Sequence, residues 1–116
     1  MYELLNFKAT RECEEHRSLV ASAELIFKQK KGDYVQLVFQ ETVNGEPWSE
    51  SMWVKITKFN IDGTLSGILD NDPKMLRTIK CGDKVQFHVD NVRRVMISGM
   101  PYPFPSIHEA AHSSPH

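Results

Sequence analysis

Residues 33–59 read DYVQLVFQETVNGEPWSESMWVKITKF, and this stretch decides the fold. On each side of Asn44-Gly45, apolar residues alternate with polar residues, which is the period of a half-buried strand. Asn-Gly between two such segments is a strong signal for a two-residue hairpin turn. The stretch therefore predicts an antiparallel hairpin. Its buried face should carry Val35, Leu37, Phe39, Met52, Val54 and Ile56.

The strand pattern continues on the C-terminal side of this hairpin. A turn at residues 62–63 leads into a third strand at 64–70, in which Gly67 indicates a bulge or a close backbone approach. Alternation over residues 84–89 predicts a fourth strand, and residues 91–97 can supply a fifth. We therefore expect an antiparallel sheet of four to five strands.

Helical signals lie before the hairpin and between the third and fourth strands. Apolar spacing by three and four predicts one amphipathic helix at about residues 10–30, packed on the sheet. Its apolar stripe consists of Cys13, His16, Leu19, Val20, Ala23, Ile26 and Phe27. Asp72-Pro73 is typical of a helix start and predicts a short helical turn at 73–77. Residues 1–8 fit either an extended lead-in or a first turn, and the fold class is α+β.

The chain divides into a domain and a tail. The helix and the sheet account for residues 1–99, which we interpret as a single α+β domain. Residues 100–116 contain four of the six prolines and show no apolar period. They therefore read as an extended C-terminal tail that carries proline and histidine.

Residues 108–112 of this tail read HEAAH, which matches the pattern of zinc proteases, with His108 and His112 as ligands and Glu109 as the base. Only four residues follow His112, so the third ligand that usually lies downstream has no chain to come from. A helical tail would align these histidines with His116 in a weak surface stripe for metal. We interpret the match as coincidental and expect no metal centre and no cofactor.

The composition excludes several classes of function. The chain has 116 residues, a net charge of −1 and a pI of about 6.5, so it lacks the basic footprint of a general nucleic-acid binder or a lipid-binding surface. No apolar run approaches the ~20 residues of a membrane span, and the N-terminal residues show no secretion signal. We expect a soluble cytoplasmic protein with Cys13 and Cys81 reduced.

Residues that could support catalysis do not form a coherent set. Asp70-Asn71-Asp72 resembles the start of a calcium loop but lacks the EF-hand spacing, and turn chemistry explains it better. Cys81 and His88 would act as nucleophile and base only if the fold joined them. The sequence therefore favours a protein without enzymatic activity.

Six residues are candidates for a binding site. They are Trp48, Glu50, Trp53, Asn71, Arg93 and Arg94. Tryptophan is enriched at interface hot spots, although Trp53 could instead cover an edge of the core and Trp48 could sit on a loop. Arg93-Arg94 could bind a carboxylate or a phosphate, or could form a solvated strand face.

Three short blocks of this sequence resemble the YegJ-like family of small bacterial proteins, a domain-of-unknown-function family numbered 2314. The matching residues are Glu50, Met52, Trp53 and Val54; Gly67, Leu69, Asn71 and Pro73; and Gly82, Asp83, Val85 and Phe87. The resemblance covers about residues 10–97 and implies an α+β domain from bacteria or their phages. It implies no established activity. The family usually closes with Ile-x-Asp-Trp, whereas residues 92–95 here read VRRV.

These observations favour a non-enzymatic protein-binding or accessory module, for which a toxin-immunity or antagonist role is an analogy. One alternative is a small-molecule or nucleotide-binding domain or a cryptic hydrolase that uses Glu50, Asn71, Asp72, Arg93 and Arg94 around a common pocket. A remote alternative is a metal-dependent hydrolase built on residues 108–112. We expect a protein partner, and exposed strand edges leave room for a homodimer.

Overall fold

The computed structural model describes residues 1–104 as an antiparallel sheet with short helical segments on one side. Expectations about His108, Glu109, His112 and His116 lie outside the described residues. The strands are β1 (Glu3–Leu4), β2 (Tyr34–Val43), β3 (Glu46–Phe59), β4 (Leu65–Leu69), β5 (Lys84–Phe87), β6 (Val92–Ile97) and β7 (Met100–Tyr102). The α-helices are α1 (Lys8–Glu12) and α2 (Ala23–Phe27), and 3-10 turns occur at Arg17–Leu19 and Val89–Asn91.

The predicted hairpin forms the centre of the sheet. Its strands β2 and β3 pair from Val43 opposite Glu46, so that Asn44 and Gly45 alone make the turn. Both turn residues have positive φ, at 53° and 81°, as a two-residue turn of this kind requires. The six residues expected on the buried face are each at most 2% exposed, which confirms the predicted buried face of the hairpin.

Within residues 1–104 the sheet has seven antiparallel strands, six of them in the order β5-β4-β3-β2-β6-β7 and the seventh, β1, beside β2, which corrects the expected four to five. The first strand, β1, pairs with β2 near Phe39 and Gln40, beyond the part of β2 that β6 occupies. Residues 3–4 are therefore extended, which decides between the two readings of residues 1–8. Strand β7 lies within the segment that the sequence assigns to the tail.

The single helix expected over residues 10–30 is not formed. Residues between α1 and α2 instead turn through the 3-10 segment, and Ala21 donates its backbone N–H to the Arg93 carbonyl oxygen at 2.8 Å. Ser22 then caps α2 by accepting from the Leu25 N–H at 3.1 Å. The long-range bond to β6 and the local cap at Ser22 together interrupt the helix. The expected stripe is split as a result, since Ile26 is buried whereas Phe27 is 56% exposed.

The core lies between one face of the sheet and two irregular segments. Ala21 and Ile26 cover it from the N-terminal side, and Leu76 and Ile79 cover it from the connection between β4 and β5. We call this connection, residues 70–83, the arm. Within residues 1–104, no helix has the length and apolar character needed to span a membrane.

Gly67 confirms the close backbone approach expected in β4. A Cβ at this position would lie 2.4 Å from Cγ1 of Val54 and 2.6 Å from the backbone oxygen of Lys55. The register of β3 against β4 also shifts between Ile56 and Lys58, as at a bulge. Only a residue without a side chain fits at this crossing of β3 and β4.

Candidate functional site

Strand alternation places the six candidate residues on opposite sides of the sheet. Trp48 and Glu50 lie opposite Glu41 and Phe39, so they share the side that carries the core. Trp53 lies opposite Gln36 on the other side, which we call the outer face. Since side chains alternate along a strand, no single surface holds all six residues.

Glu50 is directed at the arm rather than at a solvent-filled pocket. Its carboxylate accepts backbone N–H bonds from Lys74 at 2.9 and 3.0 Å, from Met75 at 2.5 Å and from Leu76 at 3.0 Å. If residues 73–77 formed a helical turn, these backbone N–H groups would point along the helix axis. The helical turn expected there is not formed, because the arm wraps its amides around this carboxylate instead.

Glu41, on the neighbouring strand β2, binds the next part of the arm. Its carboxylate accepts from the N–H of Arg77 at 3.3 Å, from the N–H of Thr78 at 3.2 Å and from the Thr78 hydroxyl at 2.8 Å. The side chain is buried. We call Glu41 and Glu50 the carboxylate clamp, because together they hold residues 74–78 of the arm. Sequence reasoning missed Glu41, although a charged residue at a buried strand position is a usable signal.

The clamp is held in its charged form. Burial by itself would raise the pKa of Glu50, but the backbone N–H bonds from Lys74, Met75 and Leu76 outweigh it, and the pKa lies below its ordinary value. Burial likewise acts to raise the pKa of Glu41, and the bonds from Thr78 and Arg77 together lower the pKa of that carboxyl further than burial raises it. Both carboxylates therefore remain ionised near neutral pH.

The arm also fixes the backbone of Trp53. Asp70 donates its N–H to the Trp53 carbonyl oxygen at 2.9 Å, and the Trp53 N–H donates to the Asn71 side-chain oxygen. Asn71 thus acts on the backbone of a strand, and its side-chain oxygen is engaged there. The half-buried Trp53 side chain is presented on the outer face from a backbone whose N–H and carbonyl oxygen are both bonded to the arm.

The pairing of β2 with β6 shifts register between Gln36 and Leu37, so the consecutive residues Arg93 and Arg94 both reach the outer face, where they bind other parts of the sheet. Arg93 donates from Nη1 to the Ser51 hydroxyl at 3.3 Å. Arg94 donates from Nη1 to the side-chain oxygen of Gln36 at 3.0 Å and from Nε to the Pro103 carbonyl oxygen at 3.0 Å. With 4% of its surface exposed, Arg94 is a buried part of the sheet.

The residues considered for catalysis are likewise engaged elsewhere. Cys81 lines a cleft of about 250 Å³ with Tyr34 and Asp70, whereas the ring of His88 accepts from the Asp90 N–H at the 3-10 turn. Cys13 is the cysteine that meets a histidine, with Sγ 3.2 Å from Nδ1 of His16. Within residues 1–104, no group of three or more His, Cys, Asp or Glu side chains is arranged to hold a metal ion.

The outer face of β3, β4 and β5 forms a surface that sequence reasoning missed. Lys55 lies opposite Ile68, and Ile68 lies opposite Lys84, so the three form one row across three strands. A second row pairs Lys58 with Ser66, beside an open cleft of about 470 Å³. The cleft is lined by Thr57, Ser66, Gly67, Ile68, Lys84, Val85 and Gln86. Alternation alone assigns these residues to a face, but only the strand pairing brings them into rows.

Comparison with known families identifies the wider group. Residues 7–100 match a family described as an uncharacterized protein conserved in bacteria, DUF2314. The chain belongs to this family. The match confirms the family expected from the three sequence blocks, and it does not bear on the YegJ-like label. No curated protein and no solved structure is significantly similar to the chain.

In this DUF2314 protein the three blocks meet around the arm. Glu50 of the first block binds amides that follow Pro73 of the second, and Asn71 of the second binds the Trp53 backbone of the first. The second and third blocks join where Gly82 donates its N–H to the Leu69 carbonyl oxygen at 2.8 Å. The residues that carry the family resemblance thus join β3, β4 and the arm.

Proposed function

We propose that this DUF2314 protein is a non-enzymatic binding module that docks an acidic surface of a protein partner on the outer face of β3, β4 and β5. The observation that carries the proposal is the separation of charge between the two sides of these strands. The outer positions hold the exposed lysines Lys55, Lys58 and Lys84. The acidic residues of the same strands, Glu46 and Glu50, lie at the alternate positions of β3, on the core side.

This local charge contrasts with the chain as a whole. The net charge of the protein is −1, so the basic surface arises from placement and not from composition. Asp70 supplies a carboxylate beside this surface, at the end of β4, where it lines the smaller cleft with Tyr34 and Lys55. A basic surface of this kind attracts an acidic surface of a partner during association and disfavours basic surfaces.

Two apolar side chains give the surface something to bury. Ile68 is 38% exposed in the centre of the lysine row. Trp53 is half-buried and lies two residues before Lys55 in β3. Binding energy at interfaces concentrates in such residues when a charged rim excludes water around them. Trp53 suits this role because the arm fixes its backbone, so little freedom is lost on binding.

The alternative of a small-molecule or nucleotide site, or a cryptic hydrolase, receives no comparable support. That reading requires Glu50, Asn71, Asp72, Arg93 and Arg94 to converge. Glu50 and Asn71 are bound to backbone groups around the arm, and the arginines lie on the outer face against Ser51 and Gln36. The sheet itself separates the Glu50 carboxylate from the two guanidinium groups.

Affinity capture with matched variants tests the proposal. The full chain, Lys55→Glu/Lys84→Glu and the control Lys30→Glu/Lys31→Glu would be immobilised and exposed to lysate of the native host. Lys30 and Lys31 are exposed ahead of β2, and the control changes net charge by the same amount. We expect one stoichiometric protein partner on the first and third forms and its loss on the second. Equal capture by all three, or no capture by any, would overturn the proposal.

Three further expectations stay predictions for this module. They are a cytoplasmic location, self-association into a homodimer, and a boundary between domain and tail at residues 99 and 100. An immunity or antagonist role is one form that such a module could take, and the capture experiment would identify it by the nature of the partner.

A further inference from the structure

We propose that the row Lys55–Ile68–Lys84 recognises a short extended segment of the partner in which one apolar residue stands between two acidic residues. This inference rests on the proposed function and specifies its ligand. The reason is geometric, because two cations flank one exposed apolar side chain in a fixed register.

The spacing of the row sets the spacing of the ligand. Neighbouring strands lie about 4.8 Å apart, so the Cα atoms of Lys55 and Lys84 are about 10 Å apart with Ile68 midway. In an extended peptide, residues i and i+2 face the same way and lie about 6.7 Å apart. Acidic residues two positions before and after a central apolar residue therefore span about 13 Å, which the flexible lysine side chains can cover.

The cleft beside the row provides the apolar contact. Its volume of about 470 Å³ exceeds that of one side chain, and the exposed Ile68 lines it beside the polar groups of Ser66 and Gln86. A leucine, isoleucine or phenylalanine of the partner would cover Ile68 here. Burial of such a side chain gives a contribution that pure charge attraction to a polyanion does not supply.

Asp70 limits the length of an acidic segment. Asp70 lies beyond Lys55, in the smaller cleft that it lines together with Tyr34. A hydrogen bond between the side chains of Asp70 and Tyr34 is the main reason why the pKa of Tyr34 is raised. A third carboxylate placed past Lys55 would meet this negative charge at close range. The row thus combines the cations Lys55 and Lys84, and Lys58 beside them, with the carboxylate of Asp70 at one end, which favours two separated acids over a continuous acidic run.

Titration with synthetic peptides tests the inference. The isotope-labelled full chain would be titrated with a capped heptapeptide, Gly-Asp-Ser-Leu-Ser-Asp-Gly, and its amide NMR shifts followed. One control peptide has the same composition with the aspartates adjacent and the leucine at one end, and a second has serine in place of leucine. We expect the first peptide to shift the amides of residues 55, 68 and 84 and to bind about fivefold more tightly than either control.

Variants of the row complete the test. Lys84→Glu should weaken the motif peptide about fivefold, since it removes an attractive exposed pair and adds a repulsive one, whereas Lys31→Glu should leave binding unchanged. An unchanged spectrum away from position 84 shows that the variant is folded. Equal binding of all three peptides, shifts confined to other surfaces, or tighter binding of a thymidine oligonucleotide through the same residues would overturn the inference.

The two proposals fail in different ways. If the captured protein is lost on Lys55→Glu/Lys84→Glu but the motif peptide binds no better than its controls, the docking face stands and the recognition motif falls. If capture is insensitive to the lysines while the peptide binds as expected, the row is a peptide site that the partner does not use.

Discussion

The two sides of β3 are used in opposite ways. On the core side, Glu50 and Glu41 accept hydrogen bonds from the amides of residues 74–78 and from the Thr78 hydroxyl, so both carboxylates are committed to the arm. On the outer face, Lys55 and Ile68 are exposed beside an open cleft. The residues of β3 that point to the core side therefore stabilise the fold, and those that point to the outer face form a surface. Substitutions on the core side should change stability, and substitutions on the outer face should change binding.

Gly67→Ala should give the largest effect, because it acts on the core side where β3 and β4 cross. The added Cβ would lie 2.6 Å from the Lys55 backbone oxygen, which cannot yield as a flexible side chain would. We expect the free energy of unfolding to fall by about 2–3 kcal/mol, measured by urea denaturation. The neighbouring outward change Ile68→Thr is the control and should cost no more than about 0.5 kcal/mol. An unchanged free energy of unfolding in Gly67→Ala would show that β3 and β4 can move apart at this point without loss of stability.

Glu50→Ala should have the next largest effect, by removing the acceptor for three amides of the arm. Leaving part-buried donors unpaired costs about 1–2 kcal/mol at a site that water can partly reach. The specific readout is hydrogen exchange, which should accelerate at the amides of residues 74–76. Glu46→Ala, an exposed acid on the same strand with the same parity, should change neither quantity. Protection that survives in Glu50→Ala would mean that the arm is held by its apolar residues alone.

Acid should weaken the clamp and leave the outer lysines untouched. Both clamp carboxyls have a pKa below the ordinary value when folded, so the unfolded chain binds more protons and stability rises with pH. The contribution is complete above the unfolded pKa of about 4.3 and is lost as the pH falls through the lower folded pKa values. Urea denaturation between pH 3 and pH 6 should show this slope in the native chain.

The double variant Glu41→Gln/Glu50→Gln isolates the clamp in the same pH series. Its slope should be clearly shallower than that of the native chain. Asp62, whose pKa is lowered by bonds from Thr64, contributes with the same sign, and Asp62→Asn measures that contribution separately. A native slope that persists in the double variant would place the acid sensitivity elsewhere in the molecule.

Lys55→Glu/Lys84→Glu should have the smallest effect on stability. Both side chains are exposed, so the free energy of unfolding should change by less than about 0.5 kcal/mol. The control Lys30→Glu/Lys31→Glu should match it in urea denaturation and differ only in partner capture. A large loss of stability in the outer-face variant alone would show that the outer face of β3 also stabilises the fold, which would contradict the contrast between its two sides.

The hairpin and its core could be predicted from the sequence because their signals are local. Alternation, the Asn44-Gly45 turn and Gly67 each act within a few residues, and the structure agrees with them. The helix over residues 10–30 was wrong because its central residues bond to β6, which lies some 70 positions away in the chain. Periodicity cannot register a competitor at that distance.

The site shows the same limit more sharply. Asp72-Pro73 does favour a helix start, but two carboxylates from another part of the chain offer the following amides better acceptors. The sequence singles out Glu50, Trp53 and Asn71, and alternation along β3 is enough to place Glu50 and Trp53 on opposite sides of the sheet. Their partners were not readable, because the lysine row and the clamp both depend on which strands become neighbours.

The clamp also has a consequence for the order of folding. Its bonds join residues 24 to 37 positions apart, and both carboxylates belong to the central hairpin. The acceptors are therefore in place only once β2 and β3 have paired, and closing the arm is a late event with a loop-closure cost already reduced by the hairpin. By the reverse path, the arm should be the first part of the molecule to open, as a local unit that leaves the hairpin intact.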